Sequence, residues 1–125
     1  MARRVIIAGG REFDQPLMVE SAMAALFADE GSGGELCYDD ITVVSGGARG
    51  ADKLGEDWAV KHGRPIETHE ANWKILGKSA GYQRNAEMAI TSDALVAFWD
   101  GESLETKHMI DIAVREGLEV HVYRY

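Results

Sequence analysis

Five short apolar runs punctuate the chain, and the segments between them repeat their apolar residues at helical spacing. The runs are "RVIIA" (4–8), "ITVVS" (41–45), "PIETH" (65–69), "ALVAFW" (94–99) and "LEVHVY" (118–123). The first, second and fourth are continuously apolar, as central strands covered on both faces must be. The third and fifth alternate, which predicts sheet edges. Between the runs, "PLMVESAMAALFADE" places Met18, Ala22, Ala25 and Leu26 on one helical face, with Asp14 as the expected cap and Pro16 in the first turn. "ADKLGEDWAVKHG" does the same with Ala51, Leu54, Trp58 and Ala59 and stops at Gly63. "AGYQRNAEMAI" and "SLETKHMIDIAVREG" complete the set. Strands that alternate with helices predict a three-layer α/β domain, Rossmann-like, with a parallel sheet of about five strands.

Two stretches break the rhythm. "GSGGELCYDD" (31–40) is polar and glycine-rich and reads as a surface loop. "EANWKILGKSAG" (70–81) is longer than a strand-to-helix connection requires, and it carries Trp73.

Length and composition narrow the function classes. The 125 residues, 46% hydrophobic and 27% charged, predict one domain over 1–125 with one real core. The longest apolar runs fall far short of a membrane span, and no signal-peptide core follows Met1, so the expectation is a cytoplasmic protein that uses no membrane. The lone Cys37 has no thiol partner, which suits a reducing compartment. A formal net charge of −8 argues against general binding to nucleic acid, because such binding rests on cations that neutralise phosphates. Yet Arg11, Arg49, Lys53, Lys78, Arg84 and Lys107 all stand in or beside glycine-containing segments. An acidic chain with cations at its glycine turns is suited to small anions rather than polyanions.

In an open parallel sheet, ligands bind beyond the carboxyl ends of the strands, where the strand order reverses. The segments that follow the first four runs are "GGREFD", "GGARGAD", "EANW" and "DGESLET", three of them with glycine turns. In the second, Gly46 and Gly47 allow a sharp exit from the sheet, and Gly50 opens the next helix with its first N–H groups uncovered for an anion. Arg49 adds a charge-assisted contact to a phosphate oxygen. Asp52 in the same turn repels phosphate; it either complements the helix N-terminus or bonds a ribose hydroxyl or a base. Arg84, preceded by Gly81 near a helix start, is placed to clamp a phosphate. Trp73 and Tyr82 flank the long loop and offer faces to a base. The turn fits neither the dinucleotide fingerprint nor the P-loop. The four histidines show no metal-ligand spacing, no serine stands in a nucleophile-elbow context, no cofactor or metal is called for, and catalytic residues are not identified.

Taken together, "GGREF", "SGGARGADKLGEDWA", "ANW", "GKSAGYQRNAEM", "ALVAFWDGES" and "TKHMIDIA" resemble the YspA-type family of the SLOG superfamily over nearly the whole chain and in the same order. The resemblance implies a Rossmann-like domain that binds nucleotides or nucleotide-derived ligands, in a superfamily that includes LOG-type phosphoribohydrolases and the DNA-processing protein DprA; similar members occur in phage genomes. With the switch-point rule it implies the strand order 3-2-1-4-5. It also implies binding residues: Gly9, Gly10 and Arg11 in the first turn; Gly46, Gly47, Arg49, Gly50 and Asp52 in the second; Arg84 and Asn85 on the arginine-bearing helix. Asp100, Gly101, Ser103 and Thr106 in the fourth loop rank below these. Relatives carry glycine before that threonine, whereas Glu105 stands here, and its charge would repel a phosphate on this helix. The LOG enzymes carry a glutamate three positions after the threonine, where this chain has Met109.

The favoured expectation is therefore a binding protein for a small nucleotide-like ligand, acting as sensor, carrier or sequestering agent, and the superfamily's habits with an exposed edge strand point to a homodimer. Two rivals are a nucleotide N-glycosidase or phosphoribohydrolase, with Glu102 or Glu105 in place of the missing acid, and DprA-like binding of single-stranded DNA. Release of free base and complex formation with an oligonucleotide tell the three apart.

Overall fold

The computed structural model describes residues 3–28, 41–72, 74 and 77–125. The 31–40 stretch read as a surface loop, with Cys37, and Trp73 lie outside them. In chain order the elements are β1 (Arg3–Gly9), α1 (Pro16–Ala28), β2 (Ile41–Ser45), α2 (Ala51–Lys61), β3 (Ile66–Thr68), a 3-10 turn (Gly77–Ser79), α3 (Ala80–Thr91), β4 (Ala94–Trp99), α4 (Leu104–Arg115) and β5 (Glu119–Arg124). The five strands form one parallel sheet ordered β3-β2-β1-β4-β5.

Alternation along the strands builds two cores, one on each face of the sheet. Val5 and Ile7 of β1, with Ala94, Val96 and Phe98 of β4, pack against α1 and α2. Ile6, Ala8, Leu95 and Ala97 point the other way, against Met88 and Ala89 of α3 and Met109, Ile112 and Ala113 of α4. Because both faces are covered, the buried stretches Val5–Ala8 of β1 and Ala94–Phe98 of β4 contain no polar residue, whereas β3 and β5 keep exposed residues and form the edges. Arg4 ties the β3 edge in place from two strands away by an ion pair with Glu67, and it also donates Nε to the Thr91 carbonyl at the end of α3, at 2.5 Å. The Arg4 hydrogen bond, with His69 assisting, holds the Glu67 carboxyl down at about 2.

Two local expectations change. The core stripe of α1 is Val19, Ala22, Met23 and Leu26, while Ala25 is exposed. The cap also moves one residue: Met18 and Val19 donate to the Gln15 carbonyl at 3.1 and 3.4 Å, so Gln15 rather than Asp14 stands at the N-cap. Pro16 explains this, since its fixed φ suits the first helical position and leaves the preceding residue as the cap. At their C-termini α2 and α4 close alike: Arg64 donates to the Ala59 carbonyl and Gly63 to Val60, Leu118 to Ala113 and Gly117 to Val114. Among the described residues, no helix is long and apolar enough to cross a membrane.

Candidate functional site

The sheet order reverses at β1, between β2 and β4, so the loops after these three strands meet at one edge. The first two glycine turns are pressed together. The Gly10 carbonyl accepts from Phe13 at 3.3 Å and from Ala51, the first residue of α2, at 3.1 Å, while the Gly10 amide donates to Phe98. Gly50, at the N-cap of α2, has φ +78°, and a Cβ there would stand 2.6 Å from the Arg11 carbonyl oxygen. Gly10 in turn makes room for the Tyr125 hydroxyl.

The turns do not leave their amides bare. Gly47 donates to Ser45 Oγ at 3.1 Å, and Ala48 to Asp52 Oδ2 at 3.2 Å. After β4, Asp100 Oδ1 accepts from the amides of Glu102 and Ser103 at 2.8 and 2.9 Å, and Ser103 Oγ caps α4 by accepting from Thr106 at 3.3 Å. These same amides hold the Asp100 carboxyl below the usual aspartate range. Short polar side chains thus reach the amides of the loop before α2 and of the turn into α4, whereas at α2 itself the Ala51 amide goes to the Gly10 carbonyl and no side chain caps the helix. Ser103→Ala is expected to cost about 1 kcal/mol, read as a lower urea midpoint with an unchanged m-value.

Guanidinium groups supply the positive charge instead. Arg84 of α3 is 6% exposed; its Nη1 donates to the Gly46 carbonyl at 3.1 Å, and its Nη2 pairs closely with Glu105. Its Nε has no hydrogen-bond partner among the described residues. Gly46 has no side chain because there is no space for one: a Cβ would lie 2.8 Å from Asp52 Oδ2 and 3.0 Å from Arg84 Nε. Asp52 is 5% exposed, and burial pushes its carboxyl up to about 6, against the Ala48 amide and the Arg84 charge, which favour the ionised form. Glu105 also reaches Arg11, at 3.9 Å, and its carbonyl accepts from Asn85 Nδ2 at 3.3 Å. Asn85 Nδ2 also approaches His108 Nδ1 at 3.3 Å, and burial lowers the affinity of that imidazole for a proton. Arg49 pairs with Glu12 at 2.6 Å on the surface.

Two adjoining cavities follow from this arrangement, with Arg11, Ala48 and Arg84 as their shared wall. The first, about 220 Å³, is acidic, since Glu12, Asp100, Glu105 and Asp52 face Arg11 and Arg84. The second, about 430 Å³, is a cationic groove along Gly46 and Gly47, in which Arg11, Arg49 and Arg84 face one carboxylate among the described residues, Glu70. Of the residues expected at the site, Gly9, Gly10, Arg11, Asp52, Arg84, Asn85, Asp100, Ser103 and Thr106 line the first cavity, and Gly46, Gly47 and Arg49 the second. Gly50 and Gly101 line neither. Gly50 is where the first two turns cross, and Gly101 is where Arg124 packs, with its guanidinium 5.2 Å from the centre of the Trp99 ring. Tyr82 packs edge-on against His108, centroids 4.6 Å apart, away from both cavities. Tyr125 is the aromatic side chain at the first cavity, beside Phe13 at 4.8 Å. No local pattern singles it out, because the last strand alone brings it there.

Residues 3–75 match the YspA, cpYpsA-related SLOG family. The Gene 61 protein of Mycobacterium phage D29 is 36% identical over 124 residues, which covers 94% of each chain. The chain belongs to the YspA, cpYpsA-related SLOG family. The fold of this SLOG chain is also that of DNA processing protein A (DprA) from Streptococcus pneumoniae, with a TM-score of 0.73 over 98% of the chain at 15% identity; the chain spans half the length of that structure. The match to the SLOG family covers both glycine turns and ends before Arg84, Asn85, Glu105 and Thr106.

Proposed function

We propose that this SLOG protein binds a small, phosphate-bearing nucleotide or nucleotide-derived ligand in the cytoplasm, as a sensor, carrier or sequestering protein. The convergence of Arg11, Arg49 and Arg84 on one groove, in a chain of net charge −8, carries this reading. The groove holds the phosphate by charge-assisted hydrogen bonds. The acidic cavity beside it takes the hydrogen-bond donors of a ribose or base, with Asp100 and Asp52 as acceptors and Tyr125 as an aromatic edge. The first cavity is smaller than most small-molecule pockets, so a mononucleotide fits by spanning both.

A thermal-shift panel of inorganic phosphate, ribose 5-phosphate, nucleoside monophosphates and the matching nucleosides tests the reading. Phosphate-bearing compounds are expected to raise the unfolding temperature, and a ligand at a hundredfold its Kd adds about 2.7 kcal/mol. Nucleosides are expected to do far less, and Arg49→Met should weaken every phosphate-bearing compound by a similar factor. Unfolding temperatures that stay level across the panel would reject the proposal. The charge argues against a polyanion, so a labelled oligothymidine at moderate salt is expected to show no rise in anisotropy.

One observation favours a second reading, an N-glycosidic hydrolase. Glu102 lines neither cavity and Glu105 is held in ion pairs, but Asp52 is a cavity-lining carboxyl that titrates near 6 and is thus suited to acid catalysis near neutral pH. Free base released from a nucleoside monophosphate by the wild type, and lost in Asp52→Asn, would select this reading over simple binding.

A further inference from the structure

We propose that Glu105 determines the specificity of the site: its carboxylate acts as an internal anion between Arg84 and Arg11 and restricts the ligand to a single phosphate group. The inference rests on the groove reading above and says which phosphate-bearing compounds the groove accepts.

The three arginines of the groove are not equally available. Arg49 is paired with Glu12 between side chains that are 73% and 82% exposed, and such a pair exchanges for a ligand at little cost. Arg84 is paired with Glu105 with its own side chain only 7% exposed, so parting them would leave a desolvated charge. Glu105 cannot readily withdraw. It sits in the first turn of α4, where the helix dipole favours a carboxylate; the Ser103 cap fixes that turn, and Asn85 holds the Glu105 carbonyl.

Charge then divides the site. A phosphate in the groove meets Arg49 and the outer sides of Arg11 and Arg84, with Glu70 as the nearest opposing charge on the lining. A second phosphate that reaches for the inner sides of Arg84 and Arg11 passes the shared wall and enters the cavity lined by Glu105, Glu12 and Asp100. On that side the Glu105 carboxylate pairs closely with Arg84 and reaches Arg11 at 3.9 Å, so it already takes up part of the positive charge that would receive a second phosphate. Unneutralised guanidinium groups favour pyrophosphate over phosphate, because it carries more negative charge; Glu105 reverses that order by a repulsive element built into the wall.

Inorganic phosphate and pyrophosphate, which carry no base, test this in metal-free buffer by calorimetric titration of the full chain. The wild type is expected to bind phosphate at least as tightly as pyrophosphate. Glu105→Gln, which keeps the side chain's size and its hydrogen-bonding oxygen, should shift the ratio about tenfold or more toward pyrophosphate. Glu105→Ser gives the same reading if the amide disturbs folding. Glu102→Gln removes the same charge from the same loop outside the cavities and should leave the ratio unchanged. A wild type that prefers pyrophosphate, or a ratio that Glu105→Gln does not move, overturns the role of Glu105 while the groove reading stands. A wild type that binds neither anion overturns the groove reading and this inference together.

Discussion

Asp52→Asn is expected to stabilise the protein by roughly 3 kcal/mol at pH 8, relative to its effect at pH 3.5. The folded Asp52 carboxyl titrates at about 6, against 3.8 for the ordinary group, and each unit of difference corresponds to about 1.4 kcal/mol. The sign follows from proton uptake. Between 3.8 and about 6 the native state binds the proton more tightly than the unfolded chain, so stability contributed by the neutral carboxyl is complete below the lower value and is lost as pH rises through the upper one. Asparagine mimics the neutral acid at every pH and still offers an oxygen to the Ala48 amide. Glu67, held at about 2, works in the opposite sense at lower pH, but it is common to both proteins and cancels in the difference. Urea unfolding of both proteins from pH 3.5 to 8 reads the effect. Midpoints that differ by a constant amount across that range would show that Asp52 does not titrate as its burial requires.

Gly50→Ala is expected to lose about 3 kcal/mol or more and to lower the unfolding temperature by about 10 °C. Two costs act together. The backbone at φ +78° disfavours any side chain, and the added Cβ would run into the Gly10 and Arg11 carbonyls, which are backbone and have no rotamer to change. Relief requires the first two turns to separate, and this breaks the Ala51 amide's bond to the Gly10 carbonyl and opens the shared wall between the two cavities. Phosphate binding should fall with stability, even though Gly50 lines neither cavity. By contrast, Gly63→Ala, which would meet nothing within 4 Å, should lose only the backbone term. Equal losses at the two positions, measured by urea unfolding, would mean that the crossing of the turns adds nothing.

The sheet was legible because its determinant is local. Continuous apolar runs at β1, β2 and β4 mark strands covered on both faces, and the alternation in β3 and β5 marks the edges. In the stripe of α1, Met18, Ala22 and Leu26 pack on the core as expected but Ala25 does not, because an alanine satisfies either face of a helix, and the packing of Val19 and Met23 turns the stripe away from it. The glycine turns were legible as turns but not as what they hold. Ser45, Asp52, Asp100 and Ser103 occupy amides that the spacing alone left open. Tyr125 was invisible for the opposite reason: it is distant in sequence from every residue it meets at the site.

Sequence by itself determined the element order, the sheet's edges and the family, all of which depend on periodicity and on residue types at short separation. Only the tertiary structure decided the electrical character of the site: that Arg84 is shared between two cavities, that Glu105 neutralises it, and that Asp52 is buried deeply enough to titrate near 6. The physical reason is one of range. Hydrophobic patterning is set by neighbours a few residues apart, whereas the charge of a pocket is a sum over side chains brought together by chain crossovers, and the dielectric that scales the sum exists only once the core has closed.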